Sequence, residues 1–454
     1  MDKKMTRHIL LWCSPGFSEV DVWIPVIKKL KEKGNIKIDF IFPEPSSLLL
    51  EDTSSDLFNI AEQFSDDCIY KGCSDRWFIA STLTEARSGI KFTETYARIQ
   101  SLSTRLTKGK MSKFFILKVI GKYLLIVSKY LIRIKEDLEK STLNNWDLLN
   151  NIDGILCDFT KENKSGNKKL KHKFKDVQKF SMFHGATPHW ERTLKCDFYV
   201  KERPDVAVYS MSDLETNGYK KCFGVLEKNI VTVGVPKHDN DWIEFLINRP
   251  QSTNKIEFDS FVFLIARPAS PYNTVERKRK ALRNIYNVIC IKHGLKLVVK
   301  KHPKESLSGV DGEIYAEVLG LENYGKTWVY SNCHAFVLGK KAIFSVSFYS
   351  GIAVDLLAIN KPTIEYLDLS NLDLYDNNNS LRDKHGEPVF EYRYSNLVLG
   401  TSSNRGLEKH VDSLLNQHKK TVSLLRSKYE EYFKLSKCAS EIVAEDICNR
   451  LRKI

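Results

Sequence analysis

The sequence has no run approaching the roughly 18–20 continuous apolar residues that a membrane-spanning helix requires. The nearest stretch, Phe114 to Lys140 (FFILKVIGKYLLIVSKYLIRIKEDLEK), is interrupted by Lys118, Lys122, Lys129 and Arg133. Its apolar residues recur at helical spacing, which fits either a long helix packed on a core or a basic amphipathic surface that touches anionic lipid. The ten cysteines form no CxxC pair and no Cys/His spacing suited to zinc. Free thiols in a reducing cytoplasm are therefore expected. The basic opening MDKKMTRHILLWCSPGF has too short an apolar run for a signal peptide and reads as a first strand. Internal repeats, long low-complexity tracts and an RNA-reading aromatic motif are also missing.

What is present is an ordinary globular composition with a strong charge balance. Hydrophobic residues make up 42% and charged residues 28% of 454 positions, a length that favours two or three domains. The net charge of +14 favours an anionic partner. Nucleic acid, anionic lipid and phosphorylated substrates satisfy that charge equally.

RHILLWCS and KIDFIFPEP read as buried strands around EVDVWIPVIKKLKEKG, whose helical spacing stops at a glycine. Strand, helix, strand is a parallel α/β beginning. Residues 65–107 mix helix and loop signals. IDGILCDF is the next strand, followed by the basic loop TKENKSGNKKLKHKFKD. KFSMFHG, DVAVYS and NIVTVGVPKHD then each close a short apolar run on Gly, Ser or Pro. The polar, proline-containing INRPQSTNKIEFDS marks a linker. Beyond it, FVFLIARP, LKLVVKKHP, AIFSVSFYSG and PTIEYLD are strands. TVERKRKALRNIYNVICIKHG, closed by Gly294, and IAVDLLAINK are helices. The pattern predicts an α/β protein with two Rossmann-like domains. The first covers residues 1–248, a linker 249–260, the second domain 261–406, and a C-terminal helical segment 407–454.

In such sheets ligands bind beyond the carboxyl ends of the strands, and the polar clusters of this chain fall there. Pro303 removes a backbone donor and ends its strand with His302 extended at the tip. His302, beside Lys300, Lys301 and Lys304, can donate to phosphate oxygens and stabilise a departing nucleotide. Read alone, KKHPK is equally a solvated basic turn. Ser347, Tyr349, Ser350 and Gly351 precede a helix, so hydroxyls and N–H groups collect at its positive end, which suits a phosphate. An ordinary N-cap has the same composition, and Asp355 within that helix could simply tie it to a neighbouring loop. His184 follows a strand, and Gly185 allows a tight turn. A neutral imidazole there can accept a proton from an attacking hydroxyl. His189 and Glu191 are further candidates for acid, base or phosphate contact, while a turn histidine satisfied by backbone groups remains the plainer alternative.

Four motifs, FHGATPHW, VTVGVPKHDNDW, VVKKHPKE and AIFSVSFYSGIAVDLLAINKPTIEYLD, occur in the order found in bacterial CDP-glycerol glycerophosphotransferase-like enzymes. The chain resembles that group from about Val177 to Asp368. Related patterns occur in capsule polysialyl- and Kdo-transferases, which use CMP-activated sugars. The resemblance implies a GT-B fold, two Rossmann-like domains with a central cleft and C-terminal helices. It implies His184 as the acceptor-side base and His302 as a second catalytic residue. Gly185, His189, Glu191, Pro236, Lys237 and Asp239 would line the acceptor side or cleft, with Gly234, Pro236, Lys237 and Asp239 matching the family's GxPRxD turn. Lys301, His302, Pro303, Ser347, Tyr349, Ser350, Gly351 and Asp355 would bind the donor. The family's TDYSS aspartate is Phe348 here and its final serine is Gly351; His189 stands where a lysine is usual, and Thr187-Pro188 is displaced by one position. These departures retain a nucleotide-phosphate donor and loosen the glycerol-phosphate assignment, so a CMP-linked sugar or another sugar nucleotide fits comparably well.

The implied function is a cytoplasmic transferase, peripheral at the inner membrane. It would use a cytidine-activated donor, a CMP-sugar or a CDP-polyol, to extend a bacterial capsule, O-antigen or teichoic-acid-like polymer. The acceptor would be an anionic glycan or a lipid-linked chain, with no cofactor beyond the activated substrate and no nucleic acid. No DxD motif stands at a convincing strand end, and His, Lys and a helix dipole can offset leaving-group charge, so metal-independent transfer is expected. A UDP-sugar-dependent GT-B transferase and a sugar-nucleotide epimerase share the architecture. A basic membrane- or RNA-binding protein would leave the strand-end motifs unexplained.

Overall fold

A computed structural model of the chain describes residues 6–13, 18–42, 51–70, 99, 102, 106, 114–117, 119–127, 151–158, 174–186, 202–249, 258–302, 305, 310–433 and 438–452. The first half builds β1 (Arg7–Trp12), α1 (Ser18–Glu32), β2 (Ile36–Phe42), α2 (Glu51–Phe64), β3 (Asp67–Tyr70), β4 (Gly154–Cys157), β5 (Gln178–Ser181), β6 (Val206–Ser210), α3 (Asp213–Phe223), β7 (Ile230–Thr232) and α4 (Asn240–Asn248). The second half builds β8 (Phe261–Ile265), α5 (Val275–Tyr286), β9 (Leu297–Lys300), α6 (Val310–Leu319), β10 (Trp328–Tyr330), α7 (Ala335–Lys341), β11 (Ala342–Ser347), α8 (Ile352–Ala358) and β12 (Thr363–Tyr366). It continues with α9 (Glu391–Tyr394), β13 (Leu399–Thr401), α10 (Asn404–Asn416), α11 (His418–Tyr432) and α12 (Ala439–Arg452).

The strands assemble into two sheets, ordered β3-β2-β1-β4-β5-β6-β7 and β10-β9-β8-β11-β12-β13. All neighbours run parallel. Helices cover both faces, so central strands such as FVFLI are buried throughout and read as unbroken apolar runs rather than alternating ones. The strand order reverses between β1 and β4 in the first sheet and between β8 and β11 in the second. A crevice opens at such reversals because the flanking crossovers leave to opposite faces.

The two expected sheets are present, with three strands that short-range patterning left unassigned. β3 falls in the ambiguous stretch after Ser65, and β10 and β13 are each three residues long. The helix after β8 continues past α5 as a π-helical turn, Asn287–Lys292, and Gly294 at φ 63° ends it in a backbone region that favours glycine. The C-terminal helical segment divides between the sheets. Leu407, Val411 and Leu414 of α10 join the core of the second sheet. Val443, Ala444, Ile447 and Leu451 of α12 return to the first, in one cluster with Trp23, Ile24 and Ile27 of α1. That cluster also takes in Phe336, Ala353, Val354 and Leu357 from α7 and α8, so apolar packing is continuous between the two sheets.

Residues 115–117 and 119–127 are helical. Most of their apolar side chains point to solvent, with Phe115 80% and Ile116 71% exposed, while Leu117, Leu124 and Val127 are half-buried. Among the described residues no helix is long and apolar enough to cross a membrane. Among the described residues, Cys13, Cys157, Cys222, Cys290, Cys333, Cys438 and Cys448 form no disulfide. The basic loop after β4 and most of the linker lie outside the described residues.

Candidate functional site

At the reversal point of the second sheet, β8 is followed two residues on by Arg267, β11 ends in Ser347, and the neighbouring β9 ends in Lys300 and is followed by Lys301 and His302. Arg267 Nη1 lies 3.1 Å from His302 Nε2. A guanidinium can only donate, so Nε2 is the acceptor and the ring proton resides on Nδ1. The Arg267 guanidinium also sits 5.5 Å from the ring centre of Tyr349 and 6.0 Å from that of Tyr272. Tyr349 is held by a 2.7 Å hydrogen bond donated to Glu391 and by a tilted ring contact with Phe390 at 4.4 Å between centroids. The Lys300 ammonium donates to the carbonyl of Cys333 at 2.7 Å, and burial pushes its pKa down to about 8. An arriving anion would favour its charged form.

Two buried polar atoms in this cluster have no hydrogen-bond partner, Arg267 Nε and Ser347 Oγ. Buried polar atoms are normally satisfied, which makes these two candidates for contact with a ligand atom. The basic turn itself is anchored from beneath. The backbone N–H of His302 donates to Glu305 at 2.6 Å, while Glu305 accepts from Tyr315 Oη at 2.9 Å and from the buried ammonium of Lys278. His302 is thus anchored to a charged scaffold by its backbone N–H.

The serine-glycine turn is more ordinary than its composition suggested. Gly351 stands at the N-cap of α8, which has only seven residues, and Ser350 Oγ accepts from the N–H of Ile352 at 3.3 Å. Ser350 therefore serves its own helix end. Phe348 is fully buried in the second-sheet core, so it cannot supply the polar contact of the aspartate it replaces.

In the first sheet, β4 is followed by Asp158 and β5 by Phe183 and His184. His184 Nδ1 lies 2.8 Å from Asp158 Oδ2, with the carboxylate side chain 0% and the imidazole 35% exposed. A buried carboxylate accepting from Nδ1–H fixes the tautomer and leaves Nε2 as the basic nitrogen. Glu215, near Asp158, is a neutral neighbour. Burial, with a further contribution from the charge of Asp158, pushes its pKa up to about 8, although it accepts from the N–H of Met211 and from Tyr219 Oη.

The GVPKHD turn after β7 occupies a different position from the cleft surface expected of it. Gly234, at φ 93°, makes the bend. Pro236 and Lys237 are buried, and the Lys237 ammonium lies 2.8 Å from Asp355 of α8 and 3.4 Å from Asp21 of α1. His238 bridges Asp355 at 2.8 Å and Tyr429 Oη of α11 at 2.6 Å. Asp239 accepts from the N–H groups of Ala439 and Ser440, both at 2.8 Å, at the start of α12. His334 adds a contact of 3.0 Å to Asp21. Burial opposes the charge on Lys237, but Asp355 and Asp21 outweigh it and raise its pKa. Burial also opposes ionisation of Asp355, and Lys237 and His238 outweigh it in turn, holding that carboxylate below its usual range. The result is a buried polar tie between the two sheets.

The structure therefore brings His302 and Tyr349 together around Arg267, turns Lys300 to the Cys333 carbonyl and Lys301 to the Tyr330 ring, and leaves Ser347 at the end of β11. It places His184 and Gly185 after β5 of the first sheet and puts Pro236, Lys237, Asp239 and Asp355 in the tie. His189, Glu191 and Pro303 lie outside the described residues. Two residues were not anticipated, Arg267 and Asp158. Both had a readable signal: FVFLI-Ala-Arg-Pro repeats the strand-then-cation-then-proline order of LVVKKHP, and Asp158 follows GILC as the first polar residue past a strand. Among the described residues, Asp239, Asp241 and Cys438 stand close enough to ligate a metal, but Asp239 caps α12 and Asp241 pairs with Lys29 at 2.6 Å.

No protein-family model matches the sequence, and no curated protein matches it. Solved structures do match. The S. aureus MnaA–UDP complex shares 12% identity at a TM-score of 0.54, covering 99% of this chain and 98% of that one. A Listeria monocytogenes protein described as a putative UDP-N-acetylglucosamine 2-epimerase shares 10% identity at a TM-score of 0.55, with the same coverages of 99% and 98%. A single-residue variant of the wall teichoic acid polymerase TagF shares 12% identity at a TM-score of 0.51, covering 99% of this chain and 89% of that one. The likeness establishes a GT-B-like fold of two α/β domains.

Proposed function

We propose that the chain is a GT-B-type transferase that moves a glycosyl or polyol-phosphate group from a cytidine-activated donor, a CMP-sugar or CDP-polyol, to a hydroxyl of a growing surface polymer. The observation that carries this reading is the Asp158-held His184 at the carboxyl edge of the first sheet. A transferase needs a base for an acceptor hydroxyl on one side of its cleft and a cradle for the leaving nucleotide on the other. His184 Nε2 would take the hydroxyl proton while Asp158 stabilises the resulting imidazolium. The acceptor oxygen would attack the anomeric carbon of a sugar donor, or the phosphorus of a polyol-phosphate donor, and the bond to the nucleotide phosphate would break. Arg267, Lys300, the Nδ1–H of His302 and the hydroxyl of Ser347 would take up the charge that develops on the departing phosphate.

The fold supports a nucleotide ligand, since a structure of similar architecture holds UDP. The net charge of +14 supports an anionic polymer or lipid-linked acceptor. The outward apolar side chains of Phe115, Ile116, Val119, Ile120 and Ile126, next to Lys122, support contact with an anionic lipid surface. The deciding experiment incubates the protein with CDP-polyols, CMP-sugars and UDP-sugars, with and without a membrane-derived acceptor, and reads the products by mass. Acceptor-dependent release of CMP is the expected result. Release from UDP-sugars alone would sink the cytidine assignment, and an isomerised sugar nucleotide without acceptor would make the protein an epimerase.

A further inference from the structure

A small open cavity of about 50 Å³ lies between the first turns of α5 and the loops that follow β12 and β13. Asn273, Arg277, Lys280, Tyr366, Asp368 and Ser402 contribute to its walls. None of them belongs to the phosphate cluster described above, but Tyr272 is shared by both. Its ring lines the cavity, stands edge-on to Tyr349 at 6.2 Å and lies 6.0 Å from the Arg267 guanidinium. Tyr272 is thus common to the cavity and to the surroundings of the Arg267 guanidinium.

We propose that this cavity receives the polyhydroxylated group attached to the donor phosphate, whether glycosyl or polyol, and so sets which donor the enzyme accepts. The inference rests on the nucleotide-donor reading above and deepens it. Asn273 is 2% exposed, and its Nδ2 has no hydrogen-bond partner, so a buried donor stands ready for an acceptor at the cavity wall. A ligand hydroxyl supplies that acceptor and can in turn donate to a remaining lone pair of the Asp368 carboxylate, which pairs with Arg277 at 3.3 Å, accepts from Ser370 and is 44% exposed as a side chain. Tyr272 and Tyr366 add flat apolar faces for the C–H surface of a sugar or polyol. The walls are fixed rather than adaptable. Arg277 donates to the carbonyls of Asp368 and Ser370, the latter at 2.7 Å, and Tyr366 Oη accepts from Asn284 at 2.8 Å. A rigid polar cavity next to a phosphate site can discriminate between hydroxyl patterns, because an unmatched hydroxyl leaves a buried group unpaired.

Ala281 also lines the cavity from α5, so Ala281→Leu fills it while keeping a good helix former. Titration calorimetry of wild type and variant would use the bare nucleotides CMP, CDP and UDP and the donors CMP-N-acetylneuraminate, CDP-glycerol and UDP-N-acetylglucosamine. The expected result is a loss of about 10-fold or more in affinity for the donor that wild type prefers, with the matching bare nucleotide changed by less than about twofold. Equal affinities in both proteins overturn the inference, and so does an equal loss for donor and nucleotide, which would give the cavity to the nucleoside. Should Ala281→Leu fail to fold, Asn273→Ala decides, with a donor-selective loss of about 3- to 10-fold expected from one missing hydrogen bond. Silence of the wild type toward every probe would overturn the donor reading itself, whereas binding by wild type with indifferent variants overturns only the cavity assignment.

Discussion

The ammonium of Lys237 and the carboxylate of Asp355 meet at 2.8 Å in a buried site, although one follows the last strand of the first sheet and the other lies on a helix of the second. Asp21 and His238 complete the cluster, and His238 passes it on to Tyr429. A buried pair of this kind specifies one relative placement of the two sheets. Each charge is tolerated only where the other meets it.

Removing one partner strands the other in a low-dielectric site. Lys237→Met and Asp355→Asn should each cost about 3–5 kcal/mol in denaturant unfolding. The double variant should be less destabilised than the sum of the singles by about 1 kcal/mol or more, because neither member of the Lys237–Asp355 pair is left charged without the other. Strict additivity would show that the contact carries no coupling.

The His184 and Asp158 pair should act on turnover and leave donor binding alone. His184→Ala should lower kcat by about 10²- to 10⁴-fold with little change in nucleotide affinity. Asp158→Asn should lower kcat while leaving donor KM unchanged, since it disturbs the base without touching the phosphate cradle. A loss confined to KM would move both residues out of the proposed chemistry.

On the opposite side the pattern reverses. Arg267→Ala and His302→Ala should each weaken CMP and CDP binding by about 10-fold or more, the scale of one hydrogen bond to a charged group. Their effects should be non-additive, because the two side chains touch at 3.1 Å. Affinities equal to wild type in both variants would remove the donor site from this crevice.

Glu215 supplies a pH signature. Its carboxyl, ordinarily near 4.5, is pushed by burial up to about 8 in the folded chain. Between those values the unfolded chain has lost the proton and the native chain keeps it, so the native state binds more protons and stability falls as pH rises. The contribution is complete below pH 4.5 and gone above about 8. Thermal melts of Glu215→Gln across that window should show a flatter slope than wild type. An unchanged slope would assign the dependence to another group.

Much of the architecture was legible because its strands are buried on both faces. Runs such as ILLW, VAVYS and FVFLI are too apolar for any other setting, and the helices between them close on glycines that the backbone requires at positive φ, as at Gly294. Strand-end chemistry was legible for the same reason: polar residues immediately after such runs must emerge at the sheet edge. His184, His302 and Ser347 were located that way, and the same argument applied to GILC and FVFLIARP would have reached Asp158 and Arg267. The short strands β10 and β13 were not legible, since three residues carry too little periodicity.

Other features were settled only by the tertiary structure. The GVPKHD turn looks like a cleft edge in sequence, yet Lys237 turns inward because Asp355 and Asp21, 118 and 216 residues away along the chain, arrive to neutralise it. The terminal helix α12 has an apolar face that would suit either sheet. Asp239 caps its first turn and Trp23, Ile24 and Ile27 offer it a surface, so it returns to the first. By itself the sequence determined which residues stand at strand ends, since burial of a strand is a local property of its side chains. Which of those residues face each other, and which charges are paired off in the interior, depended on strand order and on partners far along the chain, and only folding in three dimensions decided them.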